Sequence, residues 1–118
     1  MAVTDIPTTA GPRSRPTERV QTDAARSIVW LRGEHDLSTA AALTDTLTRA
    51  IELAHTDLVV DLSEVEFMGA ATVTVVLQAA ELLRQQARSL TVRNPSRCAL
   101  RVLELCDLTP LVESAPAN

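Results

Sequence analysis

The stretch LVVDLSEVEFMGAATVTVVLQAAELL, Leu58–Leu83, constrains the fold of this chain more than any other. Its first residues are apolar except for Asp61, which predicts a strand covered on both faces. A short acidic turn and a corner follow, where we expect Gly69 to let the backbone turn sharply. From Val73 onward apolar residues recur at intervals of three and four, which predicts an amphipathic helix. A strand leading into a helix this way presents free helix N–H groups at its carboxyl end, where α/β sheets usually build sites.

Shorter periodic segments surround this stretch. Alternating apolar residues predict a strand over Arg26–Arg32, and LTVR predicts another over Leu90–Arg93. Ser38 or Thr39 can cap a helix whose apolar stripe consists of Leu43, Leu47, Ala50, Ile51 and Ala54. A third helix is predicted from Asn94-Pro95-Ser96 to about Leu105. Leu108–Val112 is expected to form a last strand or a packed turn.

Strands that alternate with helices predict an α/β fold with short, right-handed connections. We therefore expect a single domain over residues 24–113, with helices packed against a four- or five-stranded mixed sheet. Residues 1–23 are rich in Thr, Pro, Ser and Arg, which predicts a mostly flexible tail, with an edge strand at Val20–Thr22 left open. Residues 114–118 are expected to fray.

The formal net charge of −4 argues against a nucleic-acid partner, because phosphate contacts need clustered cations. It would suit a protein partner with a basic docking face. No apolar run approaches the roughly 20 residues needed to span a bilayer, and no secretory segment is evident near Met1. These features predict a cytoplasmic protein with no membrane contact.

The two cysteines, Cys98 and Cys106, lie eight residues apart in the third predicted helix. At about 1.5 Å rise per residue their Cα atoms would be roughly 12 Å apart, too far for a disulfide while the helix is intact. Cys106 falls on the apolar face and is expected to be a buried thiol. Redox control through Cys98 or Cys106 would then need an intermolecular disulfide or local unfolding.

No sequence pattern for catalysis or metal binding is present. The chain has no nucleophile elbow, glycine-rich phosphate loop or HExxH motif, so we do not expect an enzyme. With His35 and His55 as the two histidines and no CxxC spacing, a zinc site is not expected. Acidic residues near the predicted strand ends are interpreted as solvated loop acids rather than a metal site. They are Glu34, Asp36, Asp61, Glu64 and Glu66.

Three segments carry a family resemblance. Leu31–Asp36 is similar to an L-x-G-E-x-D motif after an early strand, and Val59–Met68 to a strand and F-M pair that precede a phosphorylation loop. Ser96–Leu108 is similar to a C-terminal R-L-F-x-x-x-x-L helix. In this order, over about Ser27–Val112, they resemble the STAS domain of stand-alone bacterial anti-sigma factor antagonists. The resemblance implies an α/β binding protein without cofactor that regulates transcription, for example in a stress response.

The phosphorylation loop departs from the family pattern F-M-D-S-S/T-G. Gly69 stands where the family has Asp, Ala70 at the phosphoacceptor, Ala71 at the following Ser or Thr, and Thr72 at the Gly. Ala70 has no oxygen and cannot carry the phosphate. The helix start would still favour an anionic partner group. Thr72 is either a displaced acceptor or a residue that caps or packs on the first helical turn.

The resemblance implies a partner surface built from two loops at neighbouring edges of the sheet. Its predicted residues are Gly33, Glu34, His35, Asp36, Gly69, Ala70, Ala71 and Thr72. Asp36 could equally cap the first helix, and Gly33 could simply satisfy a turn.

The implied function is binding of a kinase-fold anti-sigma factor, which frees a sigma factor without the usual phosphate switch. One alternative is a STAS-type accessory subunit that docks the ATPase or carrier of a lipid or anion transport complex. Another is a flavodoxin-like enzyme, which would require a bound flavin. The sequence leaves open whether the chain forms a homodimer.

Overall fold

A five-stranded mixed sheet forms the centre of the computed structural model, which describes residues 2–7, 17–22 and 26–113. The strands, which lie side by side in chain order, are β1 (Ala2–Pro7), β2 (Thr17–Thr22), β3 (Arg26–His35), β4 (Asp57–Met68) and β5 (Leu90–Arg93). β1 and β2 pair antiparallel, as do β2 and β3, whereas β4 is parallel to both β3 and β5. The predicted α/β class and mixed sheet are confirmed.

Three helices connect or follow the parallel strands: α1 (Ala40–Ala54), α2 (Ala70–Gln85) and α3 (Arg97–Leu105). Two 3-10 turns, Leu37–Thr39 and Thr109–Leu111, precede α1 and follow α3. Each helix begins near its predicted start, although α2 already starts at Ala70, directly after the corner. The Ser96 hydroxyl accepts a hydrogen bond from the Ala99 N–H at 3.2 Å, so it caps α3 as a serine at that position should.

The hydrophobic core lies between the sheet and the helices. Val29, Val60 and Val92 are register partners in β3, β4 and β5, and all three are fully buried. The predicted stripe of α1 covers them, because Leu43 and Leu47 are buried in the same cluster. Fully burying one such side chain contributes about 1.5–3 kcal/mol, so this layer fixes the helices on the sheet and thereby the place where α2 begins.

The next row of side chains alternates to the opposite face of the sheet. Trp30, Asp61 and Arg93 are register partners. Arg93 Nε lies 3.0 Å from the Asp61 carboxylate, and its guanidinium lies 5.5 Å from the centroid of the Trp30 ring. Asp61 is buried. The interpretation of Asp61 as a solvated loop acid is therefore wrong, because the residue lies inside β4 opposite a cation on β5.

The predicted flexible tail is wrong for Ala2–Pro7 and Thr17–Thr22, which form β1 and β2. β2 pairs with β3 along six positions, and Val20 packs against the core opposite Val29. Backbone pairing to an existing strand can order a segment whose own composition is polar. The other residues of the predicted tail, and the predicted frayed end at 114–118, lie outside the described residues.

One further local prediction is corrected, and one that left two alternatives open is decided. The predicted acidic turn after Leu62 is strand, because β4 continues to Met68 beside the end of β3. Along this part of β4 the exposed Glu64 and Glu66 flank the buried Val65. The segment after α3 forms a packed turn, in which Val112 makes a single parallel bridge to Val92.

Candidate functional site

The two predicted loops meet where β3 and β4 end. His35 and Met68 are register partners, and the Gly69 N–H donates to the His35 carbonyl at 3.0 Å. The turn Leu37–Thr39 packs against α2. The structure therefore brings Gly33–Asp36 and Gly69–Thr72 together at the carboxyl edge of the parallel strands.

The two glycines of the site have different conformations. Gly33 has φ 85°, in the region that favours glycine, beside a register shift between β3 and β4. Gly69 has φ −91° and ψ 174°, which any residue adopts. A Cβ at Gly69 would first meet the Phe67 ring at 3.5 Å, an ordinary contact. The sharp turn at position 69 therefore does not depend on glycine, and Gly33 lies inside β3 at a register shift rather than in a turn.

Among the residues that the structure describes, no side chain caps the start of α2. Gly69 is the N-cap residue and has no side-chain oxygen. Its backbone carbonyl accepts hydrogen bonds from the N–H groups of Thr72 and Val73 at 3.1 and 3.2 Å. An acceptor such as the Asp of the family pattern would normally bind the free N–H groups of the first turn. The first turn of α2 thus begins without a side-chain cap from its N-cap residue.

Exposure separates the predicted site residues into a surface and a layer beneath it. Asp36 and Ala70 are exposed, and Glu34, Gly69 and Ala71 are half-buried. His35, Thr72 and Gly33 are buried. The buried side chains cannot touch a partner in this conformation. A fully buried Thr72 hydroxyl is likewise inaccessible to a kinase.

Two exposed apolar residues that sequence reasoning missed complete the surface. Leu37 is 81% exposed and Phe67 is 46% exposed, and the Phe67 ring lies against Gly69. We call Asp36, Leu37, Phe67 and Ala70 the corner surface. The sequence does contain a signal for Leu37. It is a large apolar residue inside a capping turn, out of phase with the apolar stripe of α1, which indicates an exposed position.

Asp36 caps the turn that leads into α1. Its carboxylate accepts from the Ser38 N–H at 2.9 Å and from the Ser38 hydroxyl at 2.6 Å, and its own N–H donates to the Thr39 hydroxyl at 3.1 Å. The hydrogen bonds from Ser38 hold the pKa of this carboxyl below its usual value. The capping role weighed from the sequence is present, and Asp36 nevertheless remains exposed.

Beneath the corner surface lie two buried polar side chains. His35 Nε2 lies 3.1 Å from the Arg32 carbonyl oxygen, and burial lowers the His35 pKa although that bond and the nearby Asp36 oppose the shift. His35 Nδ1 and Thr72 Oγ1 have no hydrogen-bond partner among the described residues.

Nothing in the described part of the chain gathers three or more His, Cys, Asp or Glu side chains that could hold a metal ion. A groove of about 220 Å³ lies between α1 and α2, and its lining is aliphatic side chains together with Thr44, Thr48 and Gln78. It contains no titratable group and does not include the corner surface.

Both cysteines are free thiols. Cys98 is half-buried and Cys106 is exposed. The prediction of a buried Cys106 is wrong because α3 ends at Leu105, so the next residue leaves the apolar face of the helix.

Comparison with known proteins gives one family. The family model described as "Mlab, STAS domain" matches residues 18–113. None of the curated protein sequences compared with the chain matches it significantly. Among solved structures, an anti-sigma factor antagonist from Mycobacterium paratuberculosis is 26% identical with a TM-score of 0.75, and 92% of each chain is covered.

Two more distant structures share the fold. The anti-sigma factor antagonist SpoIIAA of Bacillus, in its unphosphorylated form, is 20% identical with a TM-score of 0.74, covering 84% of this chain and 88% of that one. One chain of the crystal structure of diguanylate cyclase SiaD in complex with its activator SiaC, from Pseudomonas aeruginosa, is 18% identical with a TM-score of 0.51, covering 86% of this chain and 87% of that one. Within the described residues, no helix has the length and apolar character to cross a bilayer.

Proposed function

This chain belongs to the STAS domain family, and we propose on that premise that it is an anti-sigma factor antagonist that lacks the phosphate switch. It binds a kinase-fold anti-sigma factor in the cytoplasm and frees a sigma factor for transcription. It performs no reaction of its own. The similarity to the mycobacterial antagonist, which extends over 92% of both chains, supports this assignment.

The observation that carries the proposal is the corner surface itself. Leu37 and Phe67 present large apolar side chains to solvent on the two segments that meet through the Gly69–His35 hydrogen bond. Apolar anchors of this kind supply most of the binding free energy in protein interfaces, because docking removes them from water. They stand on a capped turn and a strand end, so little order has to be gained on binding.

The missing hydroxyl at position 70 determines whether phosphorylation can regulate partner binding. SpoIIAA is known in phosphorylated and unphosphorylated forms. In this chain the equivalent position implied by the resemblance is Ala70, which has no hydroxyl. A phosphoryl group would add about −1.5 to −2 charges to an apolar contact and repel the partner. Without an acceptor, the chain stays competent to bind whatever the kinase does.

The test combines mass spectrometry with calorimetry on the chain and candidate anti-sigma kinases. We expect the wild-type chain to bind a cognate kinase equally with and without ATP and to keep its mass. The double variant Gly69→Asp, Ala70→Ser restores the first two loop residues of the family, and we expect it to gain one phosphate and then lose binding. Phosphorylation and release of the wild-type chain, or no binding to any kinase offered, would contradict the proposal.

A matched pair of variants locates the contact. Ala71→Glu places a carboxylate in the corner and should weaken binding on the order of tenfold or more, because an unpaired charge is buried on docking. Ala54→Glu changes another half-buried alanine at the far end of α1 and should leave binding unchanged. Equal effects of both variants would place the interface elsewhere.

A second candidate is an accessory subunit that docks the ATPase or carrier of a lipid or anion transport complex. The missing hydroxyl at Ala70 favours it, because a subunit that stays bound needs no release switch. An affinity capture from native lysate distinguishes the two functions. A kinase-fold ATP-binding partner supports the first, and a transporter ATPase supports the second.

A further inference from the structure

Two buried polar atoms under the corner surface have no hydrogen-bond partner within the part of the chain that the structure describes. They are His35 Nδ1 and Thr72 Oγ1, and both residues are 0% exposed. Buried polar groups in native proteins are almost always hydrogen-bonded, because leaving one unpaired forfeits its hydration without return. Each of these atoms therefore points to a partner that is not a protein group.

The hydrogen-bonding roles of the two atoms are opposite. Because the Arg32 carbonyl can only accept, His35 Nε2 carries the proton in the bond between them, which measures 3.1 Å. Burial lowers the His35 pKa, so Nδ1 stays unprotonated and is an acceptor. Thr72 has a hydroxyl proton to donate. Three other helical threonines each donate their hydroxyl proton to the carbonyl four residues earlier, at 2.9 to 3.1 Å: Thr44, Thr46 and Thr74.

Thr72 differs from those threonines because the residue four positions earlier, Met68, still belongs to β4. The backbone of Gly69 joins the two groups, since its N–H binds the His35 carbonyl and its carbonyl binds the Thr72 N–H. The two residues, whose side chains are both buried, are thus linked through the backbone of Gly69, one at the end of β3 and the other in the first turn of α2.

We propose that this region is a binding site for a single buried water molecule, which accepts a hydrogen bond from Thr72 Oγ1 and donates one to His35 Nδ1. Water can fill both roles at once, and folded proteins hold roughly one buried water per 27 residues on such otherwise unpaired groups. The bridge fastens the first turn of α2 to the end of β3. That it thereby holds the corner surface in shape for a partner rests on the proposed function, whereas the water site does not.

The direct test is a crystal structure of the wild-type chain at high resolution. We expect one ordered water within hydrogen-bond distance of both atoms. A direct Thr72–His35 hydrogen bond, or a dry site, would overturn the proposal. Since the free protein is used, this result is independent of whether any kinase binds, and a failure of the kinase-binding test would leave the water site standing.

Variants at Thr72 provide a second test, because the expected change in Tm has opposite signs with and without a water bridged to the hydroxyl. If the hydroxyl is bridged, Thr72→Val leaves the water and His35 short of a partner, and Tm should fall by roughly 4 °C or more. Thr72→Ser keeps the hydroxyl and should recover part of that loss. If the hydroxyl has no partner, its removal relieves a buried polar group and Tm should rise, which would refute the site.

A control and a local measurement complete the design. Thr46→Val removes a buried hydroxyl that bonds only within α1, so its effect on Tm should be smaller. Amide hydrogen exchange should accelerate at residues 69–73 in Thr72→Val and stay unchanged there in Thr46→Val. Equal protection of that segment in both variants would show that the bridge does not hold the corner.

Discussion

At the scale of single residues, the side chains at the corner are too small to supply the helix cap and the phosphate acceptor that the family resemblance implies at these positions. Gly69 cannot cap α2, and Ala70 cannot accept a phosphate. The backbone at both positions remains ordinary: Gly69 is extended, and there is room for a Cβ beside Phe67. The loss is therefore chemical rather than conformational, and a substitution should be able to reverse it.

Gly69→Asp tests that reversibility. A carboxylate at the N-cap can accept from a free N–H of the first turn and sits at the positive end of the helix dipole, so we expect a gain of about 0.5–1 kcal/mol in unfolding free energy. Thermal unfolding followed by circular dichroism measures it. Gly69→Ala, which adds only the Cβ, is the control and should gain less. A lower Tm for the aspartate variant would show that the helix does not start as described.

His35 should make stability depend on pH. Its folded-state pKa is lowered by burial, so the folded protein binds fewer protons than the unfolded chain. The contribution is fully present above the unfolded value of about 6.5 and is lost as pH falls below it toward the folded pKa. Between pH 7 and 5.5 wild type should lose up to about 1 kcal/mol more than His35→Gln. Urea unfolding across this range is the measurement.

The exposed His55 provides the control for that experiment. His55→Gln changes a histidine in the loop before β4 and should keep the wild-type pH dependence. A matching loss in the His35→Gln protein would assign the pH dependence to other groups.

At the scale of elements, helices were more predictable than strand pairing. The apolar stripe of α1 and the bounds of β5 agree with the structure because periodicity is a local property. The pairing of β2 with β3 and the row of Trp30, Asp61 and Arg93 depend on register, which one sequence does not contain. Acidic alternation in the second half of β4 predicts a turn from the sequence alone, because its partner strand, the end of β3, lies far away in sequence.

As with the fold, the position of the candidate site could be predicted from the sequence, whereas the exposure of its residues could not. Family motifs located both loops, and their contact through Gly69 and His35 is what a shared carboxyl edge requires. Which residues of those loops are exposed could not be predicted, since burial of His35 and exposure of Leu37 follow from how Leu37–Thr39 packs on α2. Cys106 shows the same limit, because it is the residue directly after α3, where the apolar stripe of the helix no longer determines burial.

The largely buried pair of Asp61 and Arg93 beside Trp30 predicts that removing the Asp61 charge strongly lowers the free energy of unfolding. Burial disfavours ionisation of Asp61, but hydrogen bonds from Ser63 and Arg93 outweigh it and keep the pKa below its usual value. Asp61→Asn removes the partner charge of a largely buried guanidinium and should reduce the unfolding free energy by about 1–3 kcal/mol. Urea denaturation at pH 7 measures the difference.

An exposed ion pair between β3 and β4, also two parallel neighbours, serves as the comparison for Asp61→Asn. Arg32 and Glu64 are 3.8 Å apart and mostly exposed, so Glu64→Gln should change stability by less than about 0.5 kcal/mol. Equal losses in the two variants would mean that burial adds nothing to the Asp61–Arg93 pair.

At the scale of the whole molecule, the sheet is built in two parts. β3, β4 and β5 are parallel, and the core packs against them. β1 and β2 extend this layer antiparallel at one edge, and within the described ranges β1 is hydrogen-bonded to β2 alone among the strands. The match to the family model begins at residue 18, within β2. The boundary of the cooperative unit should therefore fall between β1 and β2.

Two truncations place that boundary. Deleting residues 1–16 removes β1 but keeps every pair between β2 and β3, so we expect a cooperative thermal transition close to that of the full chain. Deleting residues 1–25 also removes six β2–β3 residue pairs and the packing of Val20, and it turns β3 into an exposed edge next to the core. With each hydrogen bond contributing a net 0.5–1.5 kcal/mol, the loss should be on the order of 3 kcal/mol or more, a large part of the 5–15 kcal/mol typical of a domain. If the shorter chain instead unfolded like the full one, β2 would be an appendage and residues 26–113 alone would form the domain.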